Sequence, residues 1–463
     1  MSRTKDADTP ADRGKSGEAG RDQESAEGGR VPLSGGGRTQ LADGGNIGKG
    51  SLLTEGLLGS PILKIAGEVR ELIAKGERVC NLTVGDFAPS EFPVPELLSR
   101  ELIAAVTKGE TNYPPSTGMP ALRKAVVAFC ERRLGFRPAD DGFVITAGAR
   151  PVIYGAYKVI VDPGEKVVYP VPSWNNVYYS QMSGAVAVPV PCDASTSFLP
   201  TAAMLKSRLR DARMLVLNSP VNPTGTAFTR QHLEEICDAV LEENQRRAGR
   251  DRPLYLLYDQ MYWMLTFGIE HVHPIMLRPE MAHYTVYVDG ISKSFAATGL
   301  RVGWGVGPAS VMKPMADFLT HVGAWAPRPE QVATANLLGN DKAIDEFHGK
   351  MRGEVLSRLQ SLHDGLKVLK GKGFPVDAAI PSGAIYLSAR FQLHGKHADG
   401  ATLRSDDDVR TYLLRSAGLA AVPFSAFGEA AGSGWFRLSV GAVSVQDIQG
   451  LLPRLRKALE GIS

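Results

Sequence analysis

No apolar run in the chain approaches the ~18–20 residues that a helix needs to cross a bilayer, and the N-terminus lacks the apolar centre of a secretory signal. Acidic residues crowd that end (Asp6, Asp8, Asp12, Glu18, Asp22), which also excludes a transit peptide. Cysteine is scarce. Cys80, Cys130, Cys192 and Cys237 lie far apart and form no Cys-x-x-Cys pair, so the sequence offers no metal site and points to free thiols in a reducing compartment. Charge of one sign is scarce as well. A net charge of +3 over 463 residues makes no case for nucleic-acid binding. Large apolar residues are nearly missing from residues 1–50, which are rich in Gly, Ser, Asp, Glu, Arg and Lys. Such a segment cannot bury enough surface to offset its ordering entropy, so it reads as a disordered tail with no helical period for a DNA-binding module. These absences leave a soluble, cytoplasmic protein with no membrane or nucleic-acid partner.

The remainder has an ordinary globular composition, 43% hydrophobic and 22% charged, and enough length for two to three domains of about 150 residues. After Pro61, Ile62, Ile65, Ala66, Val69, Leu72 and Ile73 recur at helical spacing. A short strand is expected over 79–84, followed by Gly85, and helices over 95–108 and 120–134. Strand-like runs then alternate with helical patterns: 142–146, 166–169, 185–190, 214–218, 255–259 and 285–288, with helices over 150–161, 174–183 and 229–247. This is the βαβ signature of an α/β protein built on a mostly parallel, doubly wound sheet. Ligands of such sheets bind beyond the carboxyl ends of the strands. Gly148, Asn222, Asp259 and Lys293 all fall at or just after an expected strand end. Past Gln331, helical stretches and strand-like runs over 384–389 and 435–440 suggest a smaller α+β domain. The expected division is a 1–50 tail, an N-terminal segment over 51–95, a large domain over 96–335 and a small one over 336–463.

The chemistry concentrates in residues 288–304, Val-Asp-Gly-Ile-Ser-Lys-Ser-Phe-Ala-Ala-Thr-Gly-Leu-Arg-Val-Gly-Trp. A β-branched run ends and delivers Lys293 between the hydroxyls of Ser292 and Ser294. A lysine confined near other cations loses basicity, and its amine can then attack a carbonyl carbon. Arg301 is a donor suited to holding a phosphate. Asp259 ends an apolar strand, and a buried carboxylate there needs a partner; the alternative is an exposed Asp capping the next helix. In Asn218-Ser-Pro-Val-Asn222-Pro-Thr-Gly225, two prolines and a glycine hold an amide at a fixed point. Gly148-Ala149-Arg150 opens a helix after a strand, where backbone N–H groups and the helix dipole can meet a phosphate. Arg150 adds charge to that phosphate or is merely solvated. The pair Tyr154 and Lys158 matches a dehydrogenase pattern, but no Gly-rich dinucleotide loop opens the chain. Gly303, Gly305 and Gly307 alternate in a strand, too far from a helix start to cradle a pyrophosphate.

Ser292-Lys293 followed by Gly299-Leu300-Arg301-Val302-Gly303-Trp304, with the Asn222 motif, resembles the class I/II aminotransferases of fold type I, which use pyridoxal 5′-phosphate (PLP). The resemblance runs from about Ser60 to the C-terminus. It implies that Lys293 holds the cofactor and serves as general acid/base, and that Asp259 faces the pyridine nitrogen. It implies that Asn222 and Tyr262 meet the phenolic oxygen, and that Gly148, Ala149, Arg150, Ser292 and Arg301 surround the phosphate. Trp174 would stack on the ring, a core tryptophan being the alternative. Tyr113 would reach the partner's phosphate across a homodimer interface. Gly85 and Arg437 would take the substrate carboxylate with Asn222, unless Arg437 lies in an edge strand facing water. The segment before residue 96 would pack on the small domain. The family usually has Glu where this chain has Gln260, a departure expected to lie behind the site. The resemblance further implies amino transfer between an L-amino acid and a 2-oxo acid by ping-pong through pyridoxamine phosphate, with an aspartate- or aromatic-type preference. A lyase, oxidase or decarboxylase on the same scaffold is the nearest rival, and a non-catalytic PLP-binding regulator a more distant one. Trp325 and Arg328 stand in a stretch that departs from the Ser-Asn-Pro pattern of aspartate-type members; each is either a pocket residue or, for Arg328, an interface ion pair.

Overall fold

Short runs of β-branched and aromatic residues, each closed by a polar turn, build the main sheet. The computed structural model describes the chain from residue 51 onward, apart from 52, 54–56, 58 and 60, so the 1–50 tail lies outside the described residues. Seven strands lie side by side in the order Phe143–Thr146, Gly303–Val306, Thr285–Gly290, Tyr255–Asp259, Ala212–Asn218, Lys166–Val171 and Val186–Pro191. All run parallel except Gly303–Val306, which is antiparallel to both neighbours. Its alternating glycines have a packing role. A Cβ on Gly303 would fall 2.5 Å from the carbonyl carbon of Gly148, and one on Gly305 2.5 Å from a Val152 methyl. Their absence lets the strand lie against the helix Ala149–Ile160. Tyr154 and Lys158 belong to that helix, and Tyr154 packs against Phe318.

Register sets the site. Asn218 pairs with Asp259, Asp259 with Val288, and Gly290 with Gly303, so the carboxyl ends of the parallel strands share one edge. Helices cover both faces, as buried apolar strands require. Arg230–Arg247 seats Leu233, Ile236 and Val240 against one face, and Ala149–Ile160 seats Val152, Ala156 and Ile160 against the other.

A second core surrounds a four-stranded antiparallel sheet in the order Val422–Pro423, Trp435–Ser439, Tyr386–Phe391, Val376–Ala378. The helix Asp341–Gly371 presents Met351, Val355, Leu359, Leu362, Leu366 and Leu369 to it, a stripe at helical spacing. Each such side chain contributes about 1.5–3 kcal/mol on burial. Ser405 with Asp408 and Ser444 with Asp447 form capping boxes that start the last two helices, Asp406–Ala417 and Val445–Glu460. The N-terminal helix Pro61–Ala74 seats Ile65 and Val69 among Leu414, Val422 and Phe424, and its Glu68 pairs with Arg410 at 2.9 Å.

The strand expected over 79–84 is shorter than the sequence suggests. Only Cys80–Asn81 qualifies, paired in parallel with Leu419–Ala420. Leu82 still bonds to the Ala420 and Ser439 backbones, but from Thr83 to Gly85 the carbonyls serve side chains. Thr83 O accepts from Arg437 at 2.6 Å, Val84 O from the Ser439 hydroxyl at 2.6 Å, and Gly85 O from Lys293. Among the described residues no helix is long and apolar enough to cross a membrane.

Candidate active site

A cavity of about 780 Å³ opens at the strand edge where Asp259 ends. Gly85, Ala149, Arg150, Trp174, Asn222, Asp259, Tyr262, Ser292, Lys293, Arg301 and Arg437 all line it. Sequence positions more than three hundred residues apart thus meet in one place.

Lys293 sits in the short helix Ile291–Ser294 that follows the strand Thr285–Gly290. Its side chain is only 14% exposed, and the Asp86 carboxylate lies 4.0 Å from Nζ. Burial pushes the ammonium down from its ordinary 10.5 to about 8; Asp86 opposes the shift, and Arg437, Arg150 and Arg301 reinforce it. The amine is therefore far closer to neutrality at physiological pH than a surface lysine. On the adjacent strand, burial raises the Asp259 carboxyl from 3.8 to about 6, partly offset by the Met261 N–H donated to Oδ1 at 2.9 Å. Asp259 is half-buried at the cavity wall, and its carboxylate also takes the Met261 N–H of the following turn.

The Asn218–Asn222 turn is tied down from within. Asn218 donates its amide to the Asp259 carbonyl at 2.8 Å and accepts the Asn222 backbone N–H at 2.7 Å. The first asparagine of the motif is thus a latch, and the second is free to reach the cavity. Asn222 Oδ1 accepts from Arg437 Nη1 at 3.1 Å. Arg437 belongs to Trp435–Ser439, a strand paired on both sides and buried throughout, so it is no edge residue. Its guanidinium lies 4.7 Å from the Tyr386 ring and 4.9 Å from the Phe427 ring, and its buried Nε–H has no partner among the described residues.

Gly148 holds φ at +80°, and Arg301 stands directly over it: a Cβ at 148 would lie 2.3 Å from Arg301 Nη2. Gly148 itself stays behind the cavity wall, and Ala149 and Arg301 form the surface there. Arg301, itself in the left-handed region at φ +54°, donates to Thr298 O at 2.8 Å and Ala147 O at 3.0 Å. Arg150 is exposed, stacks 4.6 Å over the Trp174 ring and borders the cavity. Trp174 is half-buried and borders the cavity.

Three expected residues stand apart. Tyr113 is 82% exposed and makes an edge contact with Trp325 at 5.8 Å, outside the cavity wall. Arg328 pairs with Glu110. Gln260 is buried behind Asp259 and donates toward Asp289, which also accepts from Trp263 Nε1 at 2.9 Å. Sequence reasoning missed Tyr386, whose hydroxyl lies 2.6 Å from that of Tyr262 and whose ring floors Arg437. It also missed Asp86 and the cavity-facing stripe of the N-terminal helix. Tyr386 carries no local signal, because an aromatic in an apolar strand reads as core.

Residues 77–455 match the family model described as aminotransferase class I and II. The chain is 31% identical over 412 residues to an aspartate aminotransferase of Rhizobium meliloti (strain 1021), covering 87% of this chain and 94% of that protein. A probable aspartate/prephenate aminotransferase of Rhizobium leguminosarum bv. phaseoli is 30% identical over 384 residues, with 80% and 89% covered. Among solved structures, aspartate aminotransferase from Rhizobium meliloti superposes with a TM-score of 0.81 at 28% identity, covering 90% of this chain and all of that one. The Thermus thermophilus aspartate aminotransferase with maleate gives 0.79 at 26% identity over 89% of this chain. On sequence and fold together, the chain belongs to the class I and II aminotransferases.

Proposed function

We propose that this aminotransferase uses PLP at Lys293 and moves an amino group between a dicarboxylic L-amino acid and a 2-oxo acid. The observation that carries the reading is a buried lysine amine set among three arginines, with a half-buried carboxyl on the next strand. The donor set fits the cofactor. Ala149 N–H at a helix start, Ser292, Arg150 and Arg301 suit a phosphate, Trp174 suits a ring face, and Asn222 and Tyr262 suit a phenolic oxygen. Asp259, costly alone in its apolar setting, suits a protonated pyridine nitrogen. When bound, the cofactor supplies an electron sink for the bonds of the substrate's α carbon. Lys293 Nζ would be the group that takes and returns the proton of the substrate's α carbon. Arg437, held by Thr83 O, Asn222 and the Tyr386 ring, orients the α-carboxylate through a planar fork. The dicarboxylic preference rests on the names of the aspartate aminotransferase relatives.

The same reading takes the protein as a cytoplasmic homodimer in which the exposed Tyr113 completes the partner's phosphate site. It takes 96–335 as the large domain, with 51–95 and 336–463 as the small one. The four free, buried cysteines are compatible with a reducing compartment.

A half-reaction screen tests the reading. Purified holoenzyme is mixed with single amino acids, and conversion of the lysine-bound chromophore is followed; aspartate and glutamate are expected to react fastest, with 2-oxoglutarate restoring the starting spectrum. Release of carbon dioxide or ammonia instead of a stoichiometric 2-oxo acid would transfer the assignment to a decarboxylase or lyase. Arg437→Lys keeps the charge but loses the fork, so KM is expected to rise by about 100-fold for both donor and acceptor, with a smaller change in kcat. Steady-state kinetics on both substrates checks it.

A further inference from the structure

The hydroxyls of Tyr262 and Tyr386 lie 2.6 Å apart, and both side chains are buried where the two cores meet. Among the described residues neither hydroxyl has another hydrogen-bond partner. Tyr262 stands in the turn that follows Asp259, whereas Tyr386 opens the strand Tyr386–Phe391 of the antiparallel sheet. Tyr386 is firmly seated. Its backbone pairs with Ser439, and its carbonyl lies so close to Gly225 that a Cβ there would collide with it. Its ring lies 4.7 Å from the Arg437 guanidinium. A Cβ at Gly85 would fall 3.0 Å from the Tyr386 hydroxyl and 3.4 Å from Arg437 Nη1. One side chain thus touches the carboxylate end of the cavity directly and the ring end through Tyr262.

Proton counting gives the pair a direction. A tyrosine hydroxyl carries a single proton but can also accept one. A Tyr262 that directs its proton to the phenolic oxygen must accept from Tyr386. The reverse arrangement turns the Tyr262 proton away from the cofactor. Arg437 favours the first arrangement. Burial raises the Tyr386 hydroxyl above its ordinary 10, so it keeps its proton, while the guanidinium opposes that shift and makes it the readier donor.

We propose that Tyr386 is a positioning residue for the cofactor: its hydroxyl donates to Tyr262 and so holds the Tyr262 proton toward the phenolic oxygen, while its ring supports Arg437. The proposal rests on the reading above, in which Tyr262 meets that oxygen. Donors in a buried chain polarise one another, so Tyr386 strengthens a contact that it does not itself make.

The test titrates the lysine-bound chromophore of intact holoenzyme against pH. Loss of the nitrogen's proton leaves charge on the phenolic oxygen, and a donor there favours that state, so a weaker donor raises the titration midpoint. Tyr386→Phe keeps the ring beneath Arg437 and removes only the hydroxyl. It is expected to raise the midpoint by about 0.5–1 unit and the apparent PLP Kd about fivefold, the scale of one hydrogen bond, with amino-acid KM changed by less than about twofold. In a Tyr262→Phe background the same substitution should move the midpoint by less than about 0.3 unit, because its effect passes through Tyr262. An unchanged midpoint and Kd on Tyr386→Phe, or equal shifts with and without the Tyr262 hydroxyl, overturn the proposal, and a fall in thermal stability alone marks Tyr386 as structural. A Tyr262→Phe protein whose midpoint and PLP Kd equal the parent's overturns the contact between Tyr262 and the phenolic oxygen, and this proposal with it.

Discussion

Replacing Lys293 by alanine is expected to lower the rate of amino transfer by about 10⁴-fold or more and to abolish any borohydride-trappable bond between chain and cofactor. Among the described residues no other amine lines the cavity wall to take over the attachment or the proton. Added methylamine should restore part of the turnover, which a purely structural defect would not allow. The same side chain burdens the unloaded protein. Its folded value, about 8, lies below the unfolded 10.5, so the unfolded chain binds more protons between those limits. Stability therefore rises with pH through that window and is lowest below pH 8, where the deficit is about 3 kcal/mol. Lys293→Met, neutral and similar in length, should stabilise the unloaded protein at pH 7 by up to about 3 kcal/mol. The difference should shrink as pH approaches 10. Denaturant titrations at the two pH values check it, and a variant less stable than its parent at pH 7 would contradict the burial argument.

How much of this was legible before the structure depends on where the information sits along the chain. Asn218 and Asp259 each close an apolar run, and that contrast marks a strand end without any tertiary knowledge. The sheet edge that gathers Asn222, Asp259 and Lys293 follows from the same rule. Strand direction does not. Gly303–Val306 is half glycine, unlike its neighbours, but those glycines signal close packing against Gly148 and Val152 and carry no sign of direction. The 79–84 run was over-read because periodicity reports backbone shape, whereas here the carbonyls of Thr83, Val84 and Gly85 are taken by Arg437, Ser439 and Lys293. Tyr386 was invisible, because a tyrosine in an apolar strand reads as core. Only the junction of the two cores gives it a cavity to face.

Asp259→Asn carries the other large expected effect, and it separates catalysis from stability. The amide keeps the shape and can still accept the Met261 N–H, yet it offers no negative charge opposite a ring nitrogen. Turnover is expected to fall about 10³-fold, the scale seen when one aligned electrostatic partner of the reacting group is removed. The stability change runs the other way in unloaded protein. Burial raises the carboxyl from 3.8 to about 6, so the folded state binds the extra proton between those values. Stability is thus lost as pH rises from about 4 to 6, and above that the ionised, unpaired acid costs about 3 kcal/mol. The variant should accordingly be more stable than the parent at pH 7 by up to about 3 kcal/mol and match it near pH 4. Adding PLP reverses the order of gains. If Asp259 faces a protonated ring nitrogen as proposed, that nitrogen would give the carboxylate a counter-charge in the parent, and the thermal midpoint should rise further on loading than it does in the variant. Equal shifts in the two proteins would mean that Asp259 does not pair with the ring, whatever the fall in rate.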